Sequence, residues 1–297
     1  MALPRRLGGI ELGGTKAIAI LAEAGRIVES RTIPTSAPEP TLEALNRQLA
    51  EWHAQVPLAA LGIAAFGPLQ LDRAKPDFGT MLATPKSGWS GAKVAALIVG
   101  DLDCPWLIDT DVNGAALAEY RSGAGQGYGS ICYITIGTGL GGGLLIDGKP
   151  VHGVMHPEIG HLRLRRAPGD MFAGVCPFHA DCIEGLVSGP ALTARFGCDA
   201  AMVPDWDARW AYVASDIAAL CGAILLTTSA QRILFGGSVM VRRTFLLPLV
   251  HTLVVQALGS YLPFLTQQTA QDMIRIAGLG SEAGPLGAIA LASAALE

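Results

Sequence analysis

The chain is poor in charge. Only 15% of its 297 residues are Asp, Glu, Lys or Arg, the net charge is −4, and the sequence contains no basic block or stripe. That excludes the electrostatic footprint of a nucleic-acid binder. Aromatic residues are sparse as well, at 6%. Apolar runs are short: the most apolar, IAALCGAILL, covers 217–226, below the roughly 20 residues a membrane span needs. The opening MALPRRLGG has two arginines but no apolar core after them, so no secretory signal is read there. Six cysteines in a chain this long make no disulfide scaffold. Two common phosphate-binding signatures are missing too: GxxxxGK[ST], and GxGxxG between a strand and a helix. The expectation is a cytoplasmic protein with neither nucleic acid nor membrane as partner.

Apolar residues and glycine are what the sequence has in quantity. Residues AVILMFWYC make up 51% of the chain, and there are 37 glycines, well above the usual share of about 7%. The glycines cluster. ELGGTK at 11–16 and TIGTGLGGG at 135–143 each lie between apolar runs of strand type. Backbone N–H groups in such a turn can converge on an anion, and glycine lets an oxygen approach where a Cβ would block it. One glycine hairpin is commonly structural; two in matching contexts favour a phosphate cradle. FGGSV at 235–239 is a third glycine site, either a strand-to-helix turn or a surface for a nucleotide base or ribose at Gly236 and Gly237.

Along the chain, strand, glycine turn and strand open both halves, and strands then alternate with helices. AG at 24–25 and IDGK at 146–149 read as hairpin turns. TLEALNRQLAEW reads as a helix with Thr41 as N-cap, and NGAALAEYRSG as a helix closed by Gly123. VRRTFLLPLVHTLVVQAL reads as one helix with Pro248 in its first turns, and GPLGAIALASAAL as a closing helix. The pattern implies an α/β fold with two related lobes and a ligand cleft between them. The expected division is 1–112, joined by the helix 284–297, against 113–283, which carries a Cys/His loop at 153–185.

CPFHADC places Cys176, His179 and Cys182 at three-residue steps, with His161 upstream. Two thiolates and two imidazoles suit tetrahedral zinc, and four protein ligands make a closed, structural site. The carboxylates are less decided. Asp111 follows the strand PWLID and is read either as the cap of the next helix or as a general base at a strand end, as phosphoryl transfer requires; Asp109 competes with it. Glu158 and Glu184 flank the Cys/His ligands and either pair with Arg163, Arg165 or Arg166 or, with His161, bind a polyhydroxylated substrate. His53, His152, His156 and His251 are read as surface or helix-face residues.

Together GGIELGGTK, DTDVNGAALAE, TIGTGLGGG, HPEIGH, CPFHADCIEGLVSGPA and ILFGGSVM resemble the ROK family of sugar kinases, within the two-lobed actin-like (ribonuclease H-like) ATPase fold. TPKSGW and the long Cys/His motif look most like its fructokinase branch. The resemblance implies that Gly13, Gly14, Thr15 and Lys16 cradle the terminal phosphates of ATP, that Thr138 and Gly139 form a second phosphate turn, and that Gly236 and Gly237 lie by the adenosine. It implies Asp111 as the base, Glu158, His161 and Glu184 as sugar ligands, zinc on His161, Cys176, His179 and Cys182, magnesium with the ATP, and a homodimer. The implied reaction is phosphorylation of a hexose, D-fructose first, with glucokinase, mannokinase or broad hexokinase activity as alternatives. A sugar-responsive regulator is a rival, but GGIELGG begins at residue 8 and leaves no room ahead of it for a helix-turn-helix. Two departures stand out. Glu11 stands where many members carry aspartate before GGT, which bears on the magnesium position. ATPKSGW lacks the asparagine that glucokinase-like members place before PGW, which argues against strict glucose recognition and leaves the sugar contact of the 84–89 loop unassigned.

Overall fold

The structure, a computed structural model, describes residues 5–297. In chain order the first elements are β1 (Arg6–Leu12), β2 (Lys16–Glu23), β3 (Arg26–Pro34), α1 (Pro38–Gln55), β4 (Ala60–Ala65), α2 (Val94–Val99), β5 (Trp106–Thr110) and α3 (Asp111–Ser122). Then come β6 (Ser130–Ile136), β7 (Leu140–Ile146), β8 (Lys149–Pro150), α4 (Ile183–Val187), α5 (Gly189–Phe196) and α6 (Trp210–Thr228). The chain closes with β9 (Arg232–Gly236), α7 (Gly237–Arg242), α8 (Leu246–Leu258), α9 (Gln267–Met273), β10 (Ile274–Ile276) and α10 (Ala283–Ala294). It divides into two compact units: the first runs to Gly123 and adds Lys149–Pro157 and Leu279–Glu297, and the second comprises Ala124–Gly148 and Glu158–Gly278.

The sheet of the first unit has the order β3-β2-β1-β4-β5. β1, β2 and β3 run antiparallel in succession, whereas β4 pairs in parallel with both β1 and β5. All six residues of β4 are buried, as expected for a parallel strand covered on both faces. On one face lies α1, whose Leu42, Leu45, Leu49 and Trp52 fall on a single helical stripe. This helix starts earlier than its sequence suggests: Ala37 is the cap and Pro38 follows at the first position, where a missing N–H costs nothing. Thr41 is buried one turn in, and its hydroxyl accepts from the amide of Ser36 at 3.1 Å. The other face is covered by α10, built almost wholly of small and apolar residues. A Cβ on Gly62 of β4 would lie 2.0 Å from the carbonyl of Ala288, and one on Gly287 would lie 2.5 Å from the backbone of Gly114 in α3. Side chains are absent at these crossings because backbones meet there.

The second unit holds a sheet with the order β10-β9-β6-β7. β6 and β7 form an antiparallel hairpin, and the remaining neighbours are parallel. At 19 residues α6 is long and apolar enough, by length and composition, to cross a membrane. Here it is a core helix: Val213, Ile217, Leu220 and Ile224 are buried, and its buried Asp216 meets Arg195 of α5 at 2.9 Å. Arg195 also bonds Asp170 at 3.0 Å, tying the irregular stretch before α4 to both helices. The single helix expected over 241–258 is broken. α7 ends at Arg242, and α8 begins only at Leu246, which brings Pro248 into a first turn, where it is tolerated.

Candidate active site

In the first unit, the turn between β1 and β2 is closed by the amide of Gly13 donating to the carbonyl of Lys16 at 3.0 Å. Thr35 braces it, its amide on the Thr15 carbonyl at 3.0 Å and its hydroxyl on the Gly13 carbonyl at 2.8 Å. The amides of Gly14 and Thr15 have no acceptor among the described residues. A Cβ on Gly14 would meet nothing within 4 Å. Two adjacent N–H groups thus face open space, with the exposed Lys16 next in sequence. This is the arrangement an anion requires.

The turn between β6 and β7 in the second unit repeats it. Gly137 donates to the Gly139 carbonyl at 2.9 Å and accepts from the amide of Gly189 at 2.7 Å, and the amides of Thr138 and Gly139 have no acceptor among the described residues. Gly137 borders open space. Glu184, in the first turn of α4, accepts from the amide of Leu140 at 3.0 Å and would sit 2.8 Å from a Cβ on Gly139. Glu184 therefore braces this turn directly. Not every glycine in the motif serves an anion: Gly142 is small because Ile134 and Ile159 pack over it. Gly236 and Gly237 likewise have reasons internal to the protein. A Cβ on Gly236 would strike the Tyr133 hydroxyl at 2.1 Å, and Gly237 has φ +79 with its Cβ direction 2.3 Å from the Ile136 carbonyl.

The two aspartates before α3 separate cleanly. Asp109 is buried and accepts from the Thr110 amide and from Asn113 Nδ2, both at 2.7 Å, and pairs with His152 Nε2 at 3.0 Å. Its oxygens are committed to holding the strand-to-helix junction. Thr110, not Asp111, caps the helix, its hydroxyl accepting from the Asn113 amide at 3.2 Å. Asp111 is left at the first helical position with the Val112 amide at 2.9 Å as its side-chain hydrogen bond. Burial raises its pKa to about 6, against the pull of the backbone amides of Val112 and Asp111. Glu11 is raised to about 7, first by burial and then by the negative charge of Asp111, with Lys16 pulling it back. Two acids in the first unit thus titrate near neutrality, the range suited to proton transfer.

Two of the histidines read as bystanders are built into this frame. His152 is fixed by Asp109, whose hydrogen bond raises its pKa above the ordinary value. His156 is buried and accepts from the Leu69 amide at 3.1 Å, and burial lowers its pKa. No spacing rule reveals the His152–Asp109 contact, which spans 43 residues of sequence. His251 is also buried, bonded to the Ile274 carbonyl at 2.8 Å. His53 bridges the Leu58 amide and Asp103.

In the second unit His161, Cys176, His179 and Cys182 converge, their ligand atoms all within 4.8 Å of one another. His161 Nδ1 lies 3.6 Å from Cys182 Sγ and 3.8 Å from Cys176 Sγ, and His179 Nδ1 lies 3.9 Å from Cys176 Sγ. Zinc bonds of about 2.3 Å to sulfur and 2.0–2.1 Å to nitrogen give a tetrahedral N···S edge of about 3.6 Å. The donor set and its spacing fit zinc. Paired amides and carbonyls of Cys176 and Ala180 close the knuckle. His161 turns Nδ1 to this centre, so its other ring nitrogen is directed elsewhere. Glu158 is exposed beside it, and its carbonyl accepts from the His161 amide at 3.0 Å.

Comparison with known proteins places the whole chain in a family. The model of the ROK family matches residues 7–295. A putative fructokinase of Bacillus subtilis is 38% identical, with 98% of this chain and 96% of that protein aligned. A fructokinase of Zymomonas mobilis is 40% identical over 97% of this chain and 96% of its own. Among solved structures, a ROK hexokinase from Thermus thermophilus superposes with a TM-score of 0.78 at 26% identity, covering 98% of this chain and 99% of that one. Turns, acids and Cys/His knuckle thus stand in a chain matched from end to end, and it belongs to the ROK family.

Proposed function

We propose that this protein is an ATP-dependent hexose kinase that converts D-fructose to fructose 6-phosphate. The observation that carries the reading is Asp111: an acid at the start of α3 with a pKa near neutrality, beside a neighbour, Asp109, whose oxygens are already committed. Fructose is favoured because the fructokinase relatives align over nearly the whole chain, whereas a glucokinase of Streptomyces coelicolor aligns over 62% of it at 31% identity.

In this reading the unpaired amides of Gly14 and Thr15, with Lys16, and those of Thr138 and Gly139 bind phosphate oxygens of ATP. Gly236 and Gly237 border the adenosine. Glu158, His161 and Glu184 orient the sugar. Asp111 accepts the proton of the 6-hydroxyl while its oxygen bonds to the γ-phosphorus; the bond from that phosphorus to the bridging oxygen breaks, and ADP leaves with the electron pair. Magnesium accompanies the nucleotide and offsets phosphate charge. Zinc on His161, Cys176, His179 and Cys182 supplies folding energy to a segment with little core of its own. The protein acts as a cytoplasmic homodimer, without nucleic acid or membrane.

A coupled assay of ADP release over fructose, glucose and mannose tests the reading. The highest kcat/KM is expected for fructose. Release with no hexose overturns the kinase assignment, and a preference for glucose or mannose overturns the fructose assignment alone.

A further inference from the structure

The loop ATPKSGW at 83–89 holds no role so far. It is firmly built. Trp89 is fully buried, donates Nε1 to the Ser36 carbonyl at 2.9 Å and meets Phe66 edge-on at 5.1 Å. Ser90 closes the loop by accepting from the Thr84 amide at 3.1 Å. From this base Lys86 extends to the glycine turn of the first unit: its ammonium donates to the Gly14 carbonyl at 2.6 Å and, more weakly, to that of Thr35 at 3.4 Å.

The contact bears on the amide that matters. A peptide unit is planar and trans, so the carbonyl of Gly14 and the N–H of Thr15 point in opposite directions. Gly14 is flanked by open space, and nothing in its own side chain fixes that plane. An ammonium on its oxygen does. It turns the Thr15 N–H away from Lys86 and polarises the peptide, which makes that N–H a stronger donor. Because the loop is anchored through Trp89, the ammonium comes from a fixed point rather than from a free side chain.

We propose that Lys86 is a positioning residue for the phosphate-binding turn, setting the orientation of the Gly14–Thr15 peptide for an anionic oxygen. The proposal rests on the nucleotide role of that turn and assigns the 83–89 loop to nucleotide binding rather than to sugar recognition.

Lys86→Met and Lys86→Arg test it, by steady-state kinetics with each substrate varied, by calorimetric titration with ADP and magnesium, and by thermal unfolding. One charge-assisted hydrogen bond lost predicts about a tenfold rise in both the KM for ATP and the Kd for ADP in Lys86→Met. The KM for fructose stays within about twofold and Tm within about 3 °C. Lys86→Arg, which keeps a cation able to bond a carbonyl, recovers most of the nucleotide affinity. Unchanged ADP affinity in Lys86→Met overturns the proposal, as does a rise confined to the KM for fructose, or a fall in Tm with equal losses toward both substrates. ADP titration reads the outcome even if no hexose proves to be a substrate, so the two readings fail separately.

Discussion

Replacing Asp111 with asparagine should make the protein more stable and nearly inert. In the folded chain Asp111 ionises at about 6 rather than at 3.8, so the native state holds its proton more tightly than the unfolded state does. The sign follows from linkage: a raised acid favours the native state below the unfolded value and loses that contribution as pH rises to the folded one. At about 1.36 kcal/mol per pH unit, the displacement corresponds to a ceiling of about 3 kcal/mol above pH 6. Residual solvent access to the side chain reduces this to about 1–2 kcal/mol. Asparagine carries no such penalty. Urea unfolding of both proteins from pH 5 to 8 should show the advantage of Asp111→Asn growing through pH 6 and levelling only above about 7, where Glu11, whose ionisation Asp111 opposes, has titrated as well. The same variant should lose about 10²- to 10⁴-fold in kcat, the usual contribution of a general base, and wild-type kcat/KM should fall on the acid side with an apparent pKa near 6. A variant no more stable at pH 7.5 than the wild type refutes the burial argument. Turnover within about tenfold of wild type removes Asp111 from proton transfer.

Gly14→Ala should leave Tm unchanged or raise it slightly, by the equivalent of about 0.4–1 kcal/mol, while weakening ATP binding, because its Cβ enters only open space. Gly237→Ala should cost about 1–3 kcal/mol of stability by denaturant titration, since φ is +79 and the added Cβ would lie 2.3 Å from the Ile136 carbonyl oxygen. Metal analysis should find about one zinc per chain, and chelation or Cys176→Ser should lower Tm, as expected where metal binding supplies folding energy. Gly284→Ala would place a Cβ 2.1 Å from Glu11 Oε1. It should lower kcat with little change in stability, and Glu11→Asp in the same chain should restore part of the loss by withdrawing the carboxylate.

What the sequence revealed was local. Each glycine hairpin is specified within a dozen residues, and the Cys/His steps that bring Cys176, His179 and Cys182 together lie within one short loop. The sequence favours Asp111 over Asp109 only through the motif it shares with a family; the physical difference rests on Asn113 and on His152, which is distant in sequence. The cap of α3 falls to Thr110 because its hydroxyl reaches the Asn113 amide, a choice that DTD leaves open. Gly236 and Gly237 read as a nucleotide surface, and the sequence gives no sign that Tyr133 and Ile136, on the neighbouring strand β6, require both to be glycine as well. The short helices α2, α4 and α9 carry too few turns for a periodic stripe, so tertiary packing decides them.

The last helix has a consequence for synthesis. β4 lies in the middle of its sheet, and Gly62 is shaped to receive the backbone of Ala288, which leaves the ribosome more than two hundred residues later. Until then one side of that nascent sheet has no lid, and its oily surface stays open to solvent, to chaperones and to other unfinished chains. The helix at 283–294 thus governs when the strands of the first sixty residues can mature, and a ribosome stalled before that helix emerges would yield a chain with an unsealed heart.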